Sequence, residues 1–268
     1  METKTNDRLK TILKIIGVFL GGHIMVLVLA GIFGKQITSL FNGNLNYRAF
    51  GLEAVWALIV IACIAICGKT SVFKISKKQM IEGLGAGILI IALYLFFILI
   101  VIPVFFVNDM IPVPEIICCV LQWFLVGVVE EGLYRGAIMS LFSDIYGNSR
   151  KGAFLSIISS AVMFGLVHLL NVRIDGISMA AVTVQVLSAI ALGLVFGAIT
   201  YRAGGKIWPA IIIHALVDTA SFIGNGVLWG GTESEAIGAL DPRSLILIPI
   251  EVGIFLFLMR KSKCSERV

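Results

Sequence analysis

The chain has 268 residues, of which 59% are hydrophobic and 14% are charged, and its mean hydropathy is +1.02. Soluble domains carry about 25% charged residues, so this composition excludes a soluble protein, a disordered chain, a disulfide scaffold and a nucleic-acid-binding module. We expect an all-α, polytopic transmembrane helical bundle in the cell membrane. Its partner is the lipid bilayer, and its net charge of +5 comes mostly from loops that set its orientation.

Eight apolar runs are candidates for membrane-spanning helices, since a crossing needs about 20 mostly apolar residues. In chain order they are residues 11–33, 52–68, 82–107, 113–142, 153–171, 178–201, 207–224 and 244–260. The second run is short and the fourth is long, so seven spans with an interfacial piece around residues 136–149 remain an alternative. No repeat or linker divides the sequence, and residues 1–268 are expected to form a single membrane domain.

The distribution of Lys and Arg predicts the orientation of these helices. If eight helices cross and both termini lie on one side, sixteen basic residues flank that side. The other side has four, which are Lys35, Arg48, Arg173 and Arg243. Because loops rich in Lys and Arg stay in the cytoplasm, we expect both termini to be cytoplasmic.

The fourth run contains three charged side chains, Glu130, Glu131 and Arg135. A charge at mid-bilayer costs about 2.5–3.5 kcal/mol on insertion scales, so these groups must face the interior of the bundle. Residues four apart share a helix face, which predicts a supporting ion pair between Glu131 and Arg135. Glu130 is rotated by about 100° from Glu131 and is the better candidate for a reactive carboxylate. A charged clamp between helices is the alternative interpretation.

Two histidines follow in later runs, each with a partner one helical turn away. Phe164 precedes His168, and Asp218 follows His214, so each pair shares a helix face. An imidazole beside a carboxylate suits the ligation of a metal or the orientation of a water molecule. Together with Glu130, these side chains supply the parts of a site that activates water.

Two further polar residues lie in apolar runs without a motif around them. His23, in the first run, is expected to pack or to hydrogen-bond between helices. Glu251, in the last run, would either form an interhelical hydrogen bond or face a cavity.

Three motifs occur in order on successive apolar segments, over about residues 115–222. They are Glu130-Glu131-xxx-Arg135, Phe164-xxx-His168 and His214-xxx-Asp218. This set resembles the CPBP (Abi) family of intramembrane proteases, which contains the type II CAAX prenyl endopeptidases and bacteriocin self-immunity proteins. The resemblance implies a membrane-embedded endopeptidase. Its implied catalytic residues are Glu130, His168, His214 and Asp218, with Glu131, Arg135 and Phe164 in support.

The resemblance also implies individual roles. Glu130 would be the general base that polarises water, assisted by His168. His214 and Asp218 would stabilise the oxyanion or, in a metal-dependent account, bind a divalent ion such as zinc together with Glu130 and His168. The family commonly has Asn where this chain has Asp218, and an ionised Asp cannot donate a hydrogen bond to an oxyanion. The difference favours a metal ligand, a protonated acid or a residue that orients His214.

The implied substrate is a peptide or a lipidated protein, in a water-filled cavity that we expect to open to the cytoplasm. Two other functions fit the same buried residues. One is a non-catalytic membrane immunity or scaffold protein, and the other is an ion or metal transporter.

The depths of the candidate residues raise a geometric question. At 1.5 Å per residue from the predicted inner boundaries, His214 lies about 10 Å deep, Glu130 about 18 Å and His168 about 24 Å. Residues that form one site should lie at similar depths in the membrane. We expect the difference to come from the boundaries, with the fourth run leaving the membrane near Gly136 or the fifth run starting later or tilting.

Overall fold

The computed structural model of the protein describes residues 2–41, 43–106, 109–147, 149–174, 176–238 and 242–260. These described residues fold into helices and contain no β-strand, which confirms the predicted all-α class. Some of the basic residues from which the orientation was predicted lie outside the part of the chain that the structure describes. They are Lys261, Lys263 and Arg267, together with the side chains of Lys4 and Arg243.

Twelve α-helices make up most of the described chain. They are α1 (Glu2–Leu40), α2 (Leu45–Ile66), α3 (Lys77–Ala86), α4 (Ile88–Val101), α5 (Val113–Glu131), α6 (Ser140–Tyr146), α7 (Arg150–Val167), α8 (Asn171–Ile174), α9 (Met179–Arg202), α10 (Trp208–Gly224), α11 (Glu233–Gly238) and α12 (Pro242–Leu258). A π-helix, Gly132–Met139, joins α5 to α6, so Val113–Tyr146 is one continuous helical segment of 34 residues.

Six helical segments in the described chain are long and apolar enough to cross a membrane. They are Asn6–Leu40, Leu45–Ile66, Ile88–Phe106, Val113–Tyr146, Arg150–Arg173 and Met179–Arg202. The seventh and eighth predicted runs form shorter apolar helices, Trp208–Gly224 and Leu245–Leu258. All eight predicted runs are therefore helical, and six of them reach the length of a crossing.

The third predicted run, residues 82–107, is wrong as a single helix. It is divided at Gly87, so that its long apolar part begins at Ile88. A Cβ atom at Gly87 would overlap the side chain of Ile213, and one at Gly83 would lie 2.5 Å from Cγ of Pro209. The two glycines allow α3 and the start of α4 to approach α10 closely, and hydropathy alone does not report this contact.

The helix packing places α5 and α9 in the middle of the bundle. α5 packs between α2 and α10, and α9 packs between α7 and α12. α1 lies against α2, and α4 lies against α10. Many apolar side chains of α1 face outward, including Leu13 and Ile32, which are 59% and 58% exposed. Such an exposed apolar surface is suited to contact with lipid.

One end of the bundle is the basic rim, which we define as residues 67–78, 144–147, 149–151, 202–208 and 258–260. Nε1 of Trp208 donates to the Phe73 carbonyl at 2.9 Å, and Nε of Arg150 donates to the Met259 carbonyl at 2.8 Å. These bonds hold the loops of one end together. Its basic residues are Lys69, Lys74, Lys77, Lys78, Arg150, Lys151, Arg202, Lys206 and Arg260.

The other end is the opposite rim, which we define as residues 41, 43–48, 109–115, 171–174, 176–179 and 225–238. The Ile111 amide donates to the Leu228 carbonyl at 2.9 Å, and the Asn46 side chain donates to Glu115 at 2.8 Å. α1 begins at the basic rim and ends at the opposite rim, and α12 ends at the basic rim. The helices that carry both termini therefore reach the same end of the bundle.

Candidate active site

A cavity of about 520 Å³ lies among the helices, and side chains of α1, α2, α5, α7, α9, α10 and α11 line it. Its carboxylate and imidazole side chains are Glu53, Glu130, Asp218, Glu233, His23, His168 and His214. The structure thus brings all four predicted catalytic residues to one space.

His214 of α10 is at the centre of the charged groups and is 4% exposed. Its Nδ1 lies 2.9 Å from Oε1 of Glu131, and its Nε2 lies 3.4 Å from Oε2 of Glu130 and 3.7 Å from Oδ2 of Asp218. An ionised carboxylate only accepts hydrogen bonds, so Nδ1 of His214 donates to Glu131. This bond directs Nε2 toward Glu130 and Asp218.

The predicted ion pair between Glu131 and Arg135 is confirmed. Nη1 of Arg135 donates to Oε1 of Glu131 at 2.9 Å, and both side chains are 0% exposed. The same Oε1 atom accepts from His214, a contact that the spacing within one helix did not predict. Glu131 therefore connects the buried guanidinium to the imidazole in the cavity wall.

The π-helix directly follows Glu131 and contains Arg135. A π-turn changes the hydrogen-bond spacing and releases backbone carbonyls for other donors. Oγ of Ser160, on α7, donates to the Tyr134 carbonyl at 2.7 Å, and Oγ of Ser140 donates to the Arg135 carbonyl at 3.3 Å. The hydrogen bond from Ser160 thus connects the π-helix next to the candidate site to α7.

The estimate of different depths is wrong for Glu130 and His214, because 3.4 Å separates their side chains. The fourth run stays helical beyond Gly136, through the π-helix to Tyr146. A helical segment of 34 residues is about 50 Å long and exceeds a bilayer core of about 30 Å. The end of this segment therefore does not mark the membrane boundary, and the depth of Glu130 cannot be counted from it.

His168 lies in the same cavity but apart from the other three predicted catalytic residues. Its Nδ1 donates to the Phe164 carbonyl at 2.9 Å, and its ring meets the Phe164 ring edge-on with centroids 5.2 Å apart. Within the described chain, His168 has no hydrogen bond to Glu130, His214 or Asp218. Its side chain lines the cavity, and its Nε2 has no hydrogen bond to a described residue.

Two phenylalanines form the apolar wall around the ionic groups. Phe164 is 3% exposed, and the Arg135 guanidinium carbon lies 4.7 Å from its ring centroid. Phe196 stacks on His214 with centroids 4.8 Å apart and 21° between the ring planes. Phe164 was predicted as a supporting residue, whereas no sequence motif marked Phe196.

The two isolated polar residues both form interhelical hydrogen bonds. His23 Nε2 lies 3.2 Å from the Tyr134 hydroxyl, and His23 also lines the cavity. The Tyr94 hydroxyl donates to Oε1 of Glu251 at 3.3 Å, and Glu251 is 1% exposed. Glu251 is not among the residues that line the cavity, so the first of its two predicted alternatives holds.

Glu53 and Glu233 line the cavity although no sequence motif marks them. Glu53 is near the start of the second apolar run. Its acidic side chain among apolar residues is the one feature of the sequence that could have indicated a place in the cavity. Glu233 lies in α11, and its carboxylate accepts from Gln122 Nε2 at 3.0 Å and from Trp123 Nε1 at 2.7 Å. Burial raises the pKa of Glu233, and these two hydrogen bonds oppose that change.

The predicted metal ligands do not fit a metal centre in this arrangement. Among the residues that the structure describes, no three His, Cys, Asp or Glu side chains form a group that could hold a metal ion. His168 is apart from the other three candidates, and Nδ1 of His214 is bound to Glu131. Zinc commonly takes three or four protein ligands, which this donor set does not bring together.

Gly193 of α9 gives Arg135 room next to the site. A Cβ atom there would lie 3.0 Å from Nη2 of Arg135, 3.1 Å from Cβ of Ala161 and 3.2 Å from Cδ1 of Phe164. We expect Gly193→Ala to lower the free energy of unfolding by about 1–3 kcal/mol through overpacking. Thermal unfolding in detergent measures the effect. The control is Gly253→Ala, because a Cβ atom at Gly253 has no neighbour within 4 Å; equal stability of the two variants would contradict the prediction.

The fold and the site define a polytopic helical membrane protein with a carboxylate–imidazole cluster in the wall of an internal cavity. Residues 112–220 match the family model described as Rce1-like, type II CAAX prenyl endopeptidase Rce1-like. The match contains all three motifs and confirms the predicted resemblance to the CPBP family, which contains the CAAX-type membrane proteases. Comparisons with curated proteins and with solved structures gave no match.

Proposed function

We propose that the chain is an intramembrane endopeptidase that uses Glu130 to activate water and cleaves a peptide or a lipidated protein. One observation carries the proposal. The His214 imidazole lies between Glu131, at 2.9 Å, and Glu130, at 3.4 Å, in the wall of a cavity of about 520 Å³.

The two adjacent glutamates differ in their access to the cavity. The Glu130 side chain is 21% exposed and lines the cavity, whereas the Glu131 side chain is 0% exposed. Oε1 of Glu131 already accepts from Arg135 and His214. Glu130 is therefore the carboxylate that can meet water and substrate, and Glu131 is a positioning residue.

The hydrolysis proceeds in two steps. In the first step, Glu130 takes a proton from a cavity water while the water oxygen bonds to the peptide carbonyl carbon. In the second step, the carbon–nitrogen bond breaks and Glu130 returns the proton to the leaving amine. His168 assists through Nε2, because its Nδ1 is bonded to the Phe164 carbonyl.

His214 positions the base, and Asp218 orients His214. His214 is fixed by Glu131 on one side and stacked on Phe196, so its Nε2 keeps one direction. Oδ2 of Asp218 is buried without a hydrogen-bond partner among the described residues and lies 3.7 Å from that Nε2. This placement supports the orienting role for Asp218, the last of the three options that its sequence left open.

The proposal is tested with purified protein and a library of membrane-anchored peptides. Wild-type protein should cleave members of the library, and Glu130→Gln protein should not. Mass spectrometry of the products identifies the cleaved bond. Cleavage at an equal rate by the two proteins would overturn the assignment of Glu130.

We expect cleavage to persist after metal removal. The described donor groups do not form a metal site, and a carboxylate can activate water alone. The measurement compares cleavage rates before and after treatment with EDTA and with 1,10-phenanthroline. Loss of activity that zinc restores would contradict this prediction and would favour the metal-dependent account.

A further inference from the structure

The cavity extends to the opposite rim of the bundle. Its lining includes Asn171, Asn225 and Glu233, which belong to that rim. No residue of the basic rim, as defined above from the described chain, contributes to the lining. The helices that carry the termini reach the basic rim, so the cavity extends to the end of the bundle away from the termini, whereas we expected its mouth and the termini on one side.

Two neighbouring helices show where the cavity ends. On α9 the last lining residue is Phe196, and on α10 the first is His214, so these two stacked rings form the floor. Apolar side chains that are 0% exposed continue from the floor into the basic rim. They are Ile199, Ala203, Ile207 and Ile211.

The charges of the two rims predict their sides of the membrane. Nine Lys and Arg residues lie on the basic rim, whereas Arg48 and Arg173 are the basic residues on the described part of the opposite rim. The positive-inside rule assigns the end with more Lys and Arg to the cytoplasm. The mouth of the cavity then faces away from the cytoplasm.

We propose that the site takes its substrate from the non-cytoplasmic side of the membrane. The substrate is a peptide segment that is exposed on that side, not a lipidated protein end in the cytoplasm. The cleavage of this substrate rests on the proposed protease function. The route of access follows from the cavity and the rims alone.

Single cysteines at three depths test the route of access. The parent chain has Cys63, Cys67, Cys118 and Cys264 changed to Ala and keeps Cys119, which is buried. Ser188→Cys probes the cavity, Asn225→Cys probes its mouth, and Ser71→Cys is the control on the basic rim. Each variant is expressed in the plasma membrane of a bacterial host, and the parent chain gives the background.

A cationic, membrane-impermeant methanethiosulfonate is the reagent, since carboxylates but no Lys or Arg line the cavity. In intact spheroplasts we expect labelling of Ser188→Cys and Asn225→Cys and none of Ser71→Cys. In inside-out vesicles we expect the reverse. Labelling of Ser188→Cys from the side that labels Ser71→Cys would overturn the proposal. Labelling of neither Ser188→Cys nor Asn225→Cys from either side would also overturn it, because the cavity would then be closed.

This result does not depend on catalysis. Correct labelling together with full cleavage by the Glu130→Gln protein would refute the protease mechanism and leave the route of access intact. Loss of cleavage in Glu130→Gln together with the opposite labelling pattern would refute the route of access and leave the protease mechanism intact. Size-exclusion chromatography of each cysteine variant shows whether it is folded, and the two cavity positions provide independent probes.

Discussion

The Glu130→Gln protein should lose about 10²–10⁴-fold in cleavage rate, the range that general acid–base catalysis contributes. An amide has nearly the same shape as the carboxylate but cannot accept the proton of water. Because the Glu130 side chain is 21% exposed and is not part of the Arg135 ion pair, the substitution should leave the protein folded. The measurement is kcat/KM of purified protein, with thermal unfolding in the same detergent.

Glu251→Gln is the matched control for this experiment. Glu251 is also an acid in an apolar helix, but it is bonded to Tyr94 and does not line the cavity. We expect its variant to cleave at the wild-type rate. If folded Glu130→Gln protein also cleaves at that rate, Glu130 is not the base. If the wild-type protein cleaves nothing, the scaffold and transporter alternatives gain support.

Glu131→Ala should destabilise the protein by about 3–5 kcal/mol, the cost of breaking a buried ion pair. The substitution leaves the Arg135 guanidinium, whose side chain is 0% exposed, without its carboxylate. It also removes the acceptor for Nδ1 of His214. The free energy of unfolding is measured by titration with a denaturing detergent. A change below about 1 kcal/mol, the usual value of an exposed pair, would contradict the buried ion pair.

A double variant separates the stability of the pair from its effect on the site. Replacement of a whole buried pair by apolar residues is often neutral or stabilising, so Glu131→Leu with Arg135→Met should be more stable than Glu131→Ala. Cleavage should remain impaired, because His214 still lacks its acceptor. Recovery of both stability and kcat in the double variant would show that Glu131 does not position His214.

The sequence predicted those features that depend on one helix at a time. Apolar runs of sufficient length predicted the helices, and the spacing of four residues predicted the ion pair of Glu131 with Arg135. The same spacing placed Asp218 beside His214, and the structure shows that pair at 3.7 Å.

Features that depend on packing between distant segments were missed. The bond from His214 to Glu131 joins residues 83 positions apart, and the stacking of Phe196 on His214 joins two different helices. Neither leaves a periodic signal in the chain. The division at Gly87 also depends on a contact with another helix. The Ile213 side chain of α10 occupies the space that a Cβ atom at Gly87 would take.

The dry layer beneath the stacked Phe196 and His214 rings has a consequence for the membrane itself. A water-filled passage that reached both ends would let protons cross and would dissipate the electrochemical gradient. Because Ile199, Ala203, Ile207 and Ile211 are 0% exposed beyond these rings, the water of the proposed mechanism would have no passage to the basic rim. Under the proposed route of access, the fragments of a cleaved peptide leave through the entrance by which the peptide arrived.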